Sequence, residues 1–257
     1  AATFLGAYTN YLATMVNRYR GKIEAIELWN EPGPAKFPAD VQDWNALLGQ
    51  IIIEGTKVVR AIDPTIQIIG PSWWSSGAFI ETANLKTTGA ISSLDGLSWH
   101  DYSLDYIPPD QATVYPTYTF ICSNILTRVA NFRSAAGTNL PAYVTEVGLP
   151  SKSALGLPYI DPEPAPYPAM PPWPTGLSRG VKLGVMYRAA GAQMLAPFQS
   201  LLEPQSVNDL GACRYGWELG YRGPAPKTSA FMMTCYWLNG ATFVDYRTLG
   251  NQVFLFA

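Results

Sequence analysis

Two glutamates stand where chemistry is usually placed. The stretch "IEAIELWNEPG", from Ile23 to Gly33, is an apolar run that ends in Asn30, Glu31 and Pro32. A residue before proline is pushed away from the helical region toward extended geometry, so Glu31 is expected at the tip of a strand rather than in the next helix. Simple alternation would turn Asn30 and Glu31 to opposite faces, and both serve one site only if the strand is bulged there. A second run, "AYVTEVG", brings Glu146 to the end of another apolar strand, 146 − 31 = 115 residues later. Carboxylates at the C-terminal ends of two strands of one α/β sheet sit where such folds place their active sites. Two carboxyls facing each other across such a mouth suit glycoside hydrolysis. One protonates the leaving oxygen, and the other attacks the anomeric carbon or activates water.

Other groups lie near these ends. "LSWHDY" carries His100 and Tyr102 out of a third strand, and "GPSWW" ends a fourth with Trp73 and Trp74. The tryptophans read either as a sugar platform or as packing. The lone histidine reads as a site group or as a satisfied structural residue. Glu24 and Glu27 lie before or within the first strand and are weaker catalytic candidates, and Glu203 is a candidate rim contact. The segment from Leu149 to Thr175 holds nine of the 22 prolines together with Tyr159, Tyr167 and Trp173. It reads as a functional loop whose aromatics, Trp173 among them, wall a ligand, or as a stiff proline-rich insertion.

The elements that must hold these groups alternate in period. Helical spacing runs from Phe4 to Arg20, Ala39 to Ile62, Gly77 to Thr87, Tyr118 to Ala136, Leu177 to Gln193 and Thr228 to Leu238. Strands are expected from Ile23, Thr65, Leu94, Pro141 and Met194. Such alternation predicts βα units and a parallel sheet. The tail "ATFVDYRTLGNQVFLFA" reads as two strands around a turn. The domain expectation is a barrel-type portion over residues 1–240 and a β segment over 241–257.

With these elements in place, "WNEP" at one strand end and "TEVG" about three strand units later resemble the clan of (β/α)8 glycoside hydrolases whose catalytic glutamates lie on strands four and seven, families 39 and 5 most of all. The resemblance implies an α/β fold of TIM-barrel type, incomplete at the N-terminus from strand four to helix eight, followed by a β-hairpin or the start of a β-sandwich. It implies retaining hydrolysis, with Glu31 as general acid/base, Glu146 as nucleophile and Asn30 on the sugar 2-hydroxyl. It places His100 or Tyr102 near the nucleophile. A full barrel takes eight strands in about 250 residues, and five are counted here. The expectations are therefore a piece of a longer product, a shortened barrel completed by a further chain or segment, or a non-catalytic carbohydrate-binding or scaffold relative. The tryptophan of strand eight is not evident; Phe198 or Trp217 could replace it.

Composition narrows the remaining classes. Of 257 residues, 48% are hydrophobic and 14% charged, with a net charge of −2. A sizeable core is expected and global disorder is not. No basic block recommends a nucleic-acid partner, and no apolar run reaches membrane-spanning length. The first residues lack the layout of a signal peptide. No glycine-rich phosphate loop follows a strand, which disfavours a nucleotide enzyme. Cys122, Cys213 and Cys235 lack metal-site spacing and read as buried free thiols, or as one disulfide and a leftover thiol. No metal and no cofactor are expected; the expected partner is a carbohydrate substrate. Scarce lysine with abundant Tyr and Trp leans toward an extracellular or periplasmic, carbohydrate-facing protein.

Overall fold

A computed structural model describes residues 2–73, 78–101, 128–148, 181, 184–198, 226–249 and 253–256. Helix α1 (Ala2–Arg18) is followed by strand β1 (Ala25–Glu27), helix α2 (Trp44–Ile62), strand β2 (Gln67–Trp73), helix α3 (Ala78–Thr87) and strand β3 (Gly96–Asp101). Strands β4 (Ala142–Gly148) and β5 (Ala192–Phe198), helix α4 (Pro226–Leu238) and strands β6 (Tyr246–Leu249) and β7 (Val253–Phe256) complete the order. Residues 128–136 and 184–189 are helical as well.

Local chemistry explains the element ends. Asp43 caps α2 by accepting from the Ala46 N–H at 2.9 Å, which starts the helix five residues later than the apolar pattern suggests. At its other end Asp63 accepts from the Thr65 N–H at 3.1 Å and the Thr65 hydroxyl at 2.6 Å, turning the chain toward β2. The helix over 128–136 stops at Gly137, whose φ of 70° is a left-handed cap that glycine adopts freely, with its N–H on the Arg133 carbonyl at 2.8 Å.

The five strands β1 to β5 form one parallel sheet in sequence order, which is the order that repeated βα units produce. Registry pairs Ala25 with Gln67 and Ile69 with Gly96. Asp95 fixes the entrance to β3: one carboxylate oxygen accepts from the Ile68 N–H at 2.8 Å and the other pairs with Arg60 of α2 at 2.9 Å. Strand β1 is shorter than the apolar run that announces it, because the chain leaves the sheet after Glu27. The irregularity that re-aims side chains lies in β2, between Gly70 and Trp73, rather than in β1 as alternation led one to expect.

Residues 1–100 with 130–145 make one compact unit, and residues 101–129 with 146–257 make a second. The first buries Val16, Leu28, Leu48, Ile51, Ile52, Val59, Ile68 and Leu97 between its helices and strands. Helix α2 approaches closely at Gly55, where an added Cβ would lie 3.3 Å from both Leu12 and Leu28. The second unit buries Met186, Tyr187, Ala192 and Phe231 and contains the antiparallel β6–β7 hairpin, with Tyr246 opposite Phe256. That hairpin matches the two strands expected around "TLGNQ". Among the described residues no helix is long and apolar enough to cross a membrane.

Candidate active site

Glu31 is held from behind by aromatic rings. After β1 the chain runs through Leu28 and Trp29, and the Tyr8 hydroxyl of α1 donates to the Leu28 carbonyl. Trp29 stacks on Phe37 with centroids 5.1 Å apart and planes 5° apart, and takes Phe4 edge-on at 6.0 Å. Phe37 stacks on Trp44 at 6.0 Å, and Trp44 meets Trp73 edge-on at 6.4 Å. Offset and edge contacts of this kind are favourable beyond their buried area, so the "WNEP" loop rests on a rigid wall.

The backbone in front of that wall is unusual. Glu31 has φ +46° and Ser72 has φ +62°, both in the left-handed region that non-glycine residues seldom occupy. The Glu31 N–H donates to the Ser72 carbonyl at 3.0 Å, joining the two residues across the strand ends. Glu31 is therefore not extended, as a residue before proline is expected to be; the cross-strand bond overrides the local preference. Backbone outliers costing about 1–3 kcal/mol persist only where their surroundings over-determine them, and they cluster at functional sites.

The Glu31 side chain is 26% exposed, and one of its oxygens lies 2.8 Å from Nδ1 of His100, which is 1% exposed. His100 Nε2 lies 2.6 Å from the Ser72 hydroxyl. One carboxyl face is thus open while the other is tied to a buried imidazole, an arrangement able to hold a proton and release it outward. Beneath it lies Glu27. Its carboxylate accepts from the Thr145 hydroxyl at 2.9 Å, with the hydroxyls of Ser98 and Ser72 nearby. Burial pushes the Glu27 carboxyl above its ordinary range, and these hydroxyls with the charge of His100 oppose the rise.

In the first unit, then, Glu31 and His100 come together, with Asn30 exposed beside Glu31. His100 contacts Glu31 directly. Trp73 corrects an expectation. It is fully buried and edge-on to Trp44, so it belongs to the wall and offers no open sugar platform. In the second unit Glu146 is half-buried within β4, and Asp101 forms a buried ion pair with Arg128 at 2.6 Å. Cys235 is a free, exposed thiol, not a buried one. Trp74, Tyr102, Cys122, Tyr159, Tyr167, Trp173, Glu203, Cys213 and Trp217 lie outside the described residues.

Sequence reasoning passed over Ser72, Ser98 and Thr145 and set Glu27 aside. A signal was present. Each is a polar residue inside a largely apolar strand, and buried polar groups need partners.

No protein-family model matches the sequence, and neither does any curated protein. Solved structures do. A family 39 β-xylosidase from Caulobacter crescentus superposes with a TM-score of 0.58 at 17% identity, over 97% of this chain and 51% of the other. A family 39 glycoside hydrolase from the gut symbiont Bacteroides cellulosilyticus WH2 gives 0.59 at 19%, over 97% and 48%. The chain has the fold of these hydrolases. A family 39 enzyme from Xanthomonas axonopodis pv. citri adds 0.56 at 16% identity, over 95% and 47%. The five strands and their helices are accordingly an incomplete (β/α)8 barrel, as the paired motifs implied, and the chain spans about half the length of these structures. At such identities the likeness is one of fold.

Proposed function

We propose that this chain is the part of a retaining glycoside hydrolase that carries both catalytic carboxyls. Glu146 attacks the anomeric carbon while Glu31 gives its proton to the departing glycosidic oxygen, so that one C–O bond forms as the other breaks. Glu31, now a carboxylate, then takes a proton from water, and the water oxygen displaces Glu146 from the sugar. The mechanism requires carboxyls about 5–5.5 Å apart. Asn30, exposed beside Glu31, is the group for the sugar 2-hydroxyl. The substrate is an oligo- or polysaccharide, and a further chain or segment supplies the rest of the barrel.

One observation carries this reading. Glu31 is fixed by a left-handed backbone and a buried histidine at the end of a strand, in a fold shared with glycoside hydrolases. A general acid must be held in one place, and the backbone and the His100 contact support that role for Glu31. The test is hydrolysis of a panel of aryl glycosides, beginning with xylosides. Glu31→Gln and Glu146→Gln should each lower turnover by roughly 10²–10⁴-fold or more. Unchanged turnover in either variant refutes the assignment. Tight sugar binding without any turnover would favour the non-catalytic alternative.

A further inference from the structure

We propose that Ser72 is a positioning residue for Glu31: its hydroxyl, by donating to His100, decides which oxygen of the Glu31 carboxyl carries the proton. The inference rests on the reading of Glu31 as general acid/base.

Ser72 lies within the irregularity of β2 between Gly70 and Trp73, is fully buried and has φ +62°. Ser98 and His100 stand two residues apart on one face of β3, and both meet it. The Ser72 N–H donates to the Ser98 hydroxyl oxygen at 2.9 Å, which ties the left-handed backbone to the next strand. The Ser72 carbonyl accepts from the Glu31 N–H at 3.0 Å. The Ser72 hydroxyl lies 2.6 Å from His100 Nε2, and Nδ1 of the same ring lies 2.8 Å from the inner oxygen of Glu31. Ser72 thus holds Glu31 twice, once by its backbone and once, through the imidazole, by its carboxyl.

A neutral imidazole has one N–H and one lone pair, and a hydroxyl both gives and accepts, so hydrogens run along this chain in one of two orders. In the first, Ser72 donates to Nε2 and Nδ1 donates to the inner oxygen. In the second, Nε2 donates to Ser72 and the inner oxygen donates to Nδ1. The second order exists only while Glu31 is protonated, and it turns that proton toward the ring, away from a leaving group. The first order holds whether Glu31 is protonated or ionised. Its inner oxygen then accepts throughout, and the acid's proton sits on the outer oxygen, from which it passes to the leaving group and to which it returns from water. A general acid/base goes through both forms in each cycle, so the first order is the one that serves it. That order needs a hydrogen-bond donor at Nε2. His100 is 1% exposed, and Ser72 is the donor the fold supplies there.

The sequence contains a single histidine, so its ring nitrogens are assigned without ambiguity in long-range ¹H–¹⁵N correlation spectra. At neutral pH the native chain should show Nδ1 protonated and Nε2 as a lone pair that accepts a hydrogen bond. Ser72→Gly removes the hydroxyl and suits the positive φ, so it disturbs the backbone least. Ser72→Gly and Ser72→Ala should each move the Nε2 resonance downfield, toward that of an unbonded lone pair. A hydrogen on Nε2 in the native chain, alone or together with one on Nδ1, overturns the proposal. An unmoved Nε2 resonance in folded Ser72→Gly does so too. If neither variant folds, the native tautomer decides.

Kinetics supply a second readout. In kcat/KM, Ser72→Gly should lose roughly 10-fold on glycosides with poor leaving groups, the shift that one lost buried hydrogen bond supports. It should lose little on dinitrophenyl glycosides, whose departure needs no acid. Equal loss on both classes marks a purely structural serine and contradicts the proposal. None of the spectra requires turnover. If Glu31→Gln proves harmless, the acid/base reading fails, while the spectra still test the order of hydrogens from Ser72 to Glu31.

Discussion

The Tyr8→Phe substitution isolates one bond that supports the site. The phenol donates to the Leu28 carbonyl, three residues before Glu31, and Leu28 is 3% exposed. Burial pushes the Tyr8 hydroxyl well above its ordinary range, so it remains a donor at any working pH. Phenylalanine keeps the ring 5.9 Å from Trp29 but leaves the carbonyl unpaired. An orphaned buried acceptor costs about 1–3 kcal/mol. For a protein of this size each kcal/mol lowers the melting temperature by roughly 2–4 °C, so a fall of roughly 2–12 °C is expected. The assay is urea unfolding followed by circular dichroism, with a lower midpoint at an unchanged slope, alongside thermal melts. Turnover should fall as well, because the loop bearing Glu31 is loosened. A midpoint unchanged to within about 0.3 kcal/mol would show that Tyr8 does not brace this loop, a difference too small for a lost buried bond.

Two other changes test the packing and the buried charge. Gly49→Ala places a Cβ 2.5 Å from Thr88 Oγ1 and 2.7 Å from Thr88 Cβ, and should destabilise by about 1–3 kcal/mol in chemical unfolding; adding Thr88→Ala, which removes the nearer of these atoms, should recover part of the loss. The raised pKa of Glu27 means that the folded chain binds its proton more tightly than the unfolded chain. That contribution to stability is full below the ordinary carboxylate value and is lost as pH rises through the folded value, the reverse of a salt-bridged carboxylate. Glu27→Gln should therefore flatten this part of the stability–pH curve just above the ordinary carboxylate range, as measured by unfolding at a series of pH values.

The elements were legible because burial leaves a period. The α2 stripe, the apolar β2 and β4 runs and the two strands flanking "TLGNQ" fell near their observed places, and the two strand-end glutamates suggested the barrel. What was hidden depends on contacts distant in sequence. Nothing local reveals that Glu31 is left-handed; its N–H is bound by Ser72, 41 residues on. The same bulge that carries Ser72 turns its hydroxyl to His100, and alternation counted from β1 could not foresee a fault in β2. Trp73 looked like a platform because exposure is not written in a residue type; Trp44 covers it from helix α2. Glu27 was discounted as mid-strand, yet β4 brings the Thr145 hydroxyl to it at 2.9 Å.

The central claim is that Glu146 forms a covalent bond to sugar with Glu31 as proton donor. Incubation with activated 2-deoxy-2-fluoro glycosides, followed by intact mass and peptide mapping, tests it most directly. The account predicts one sugar adduct per chain, on Glu146, absent in Glu146→Gln and still formed by Glu31→Gln when the leaving group is dinitrophenolate. An adduct on another residue, or hydrolysis of these substrates with inversion and no adduct, would contradict it.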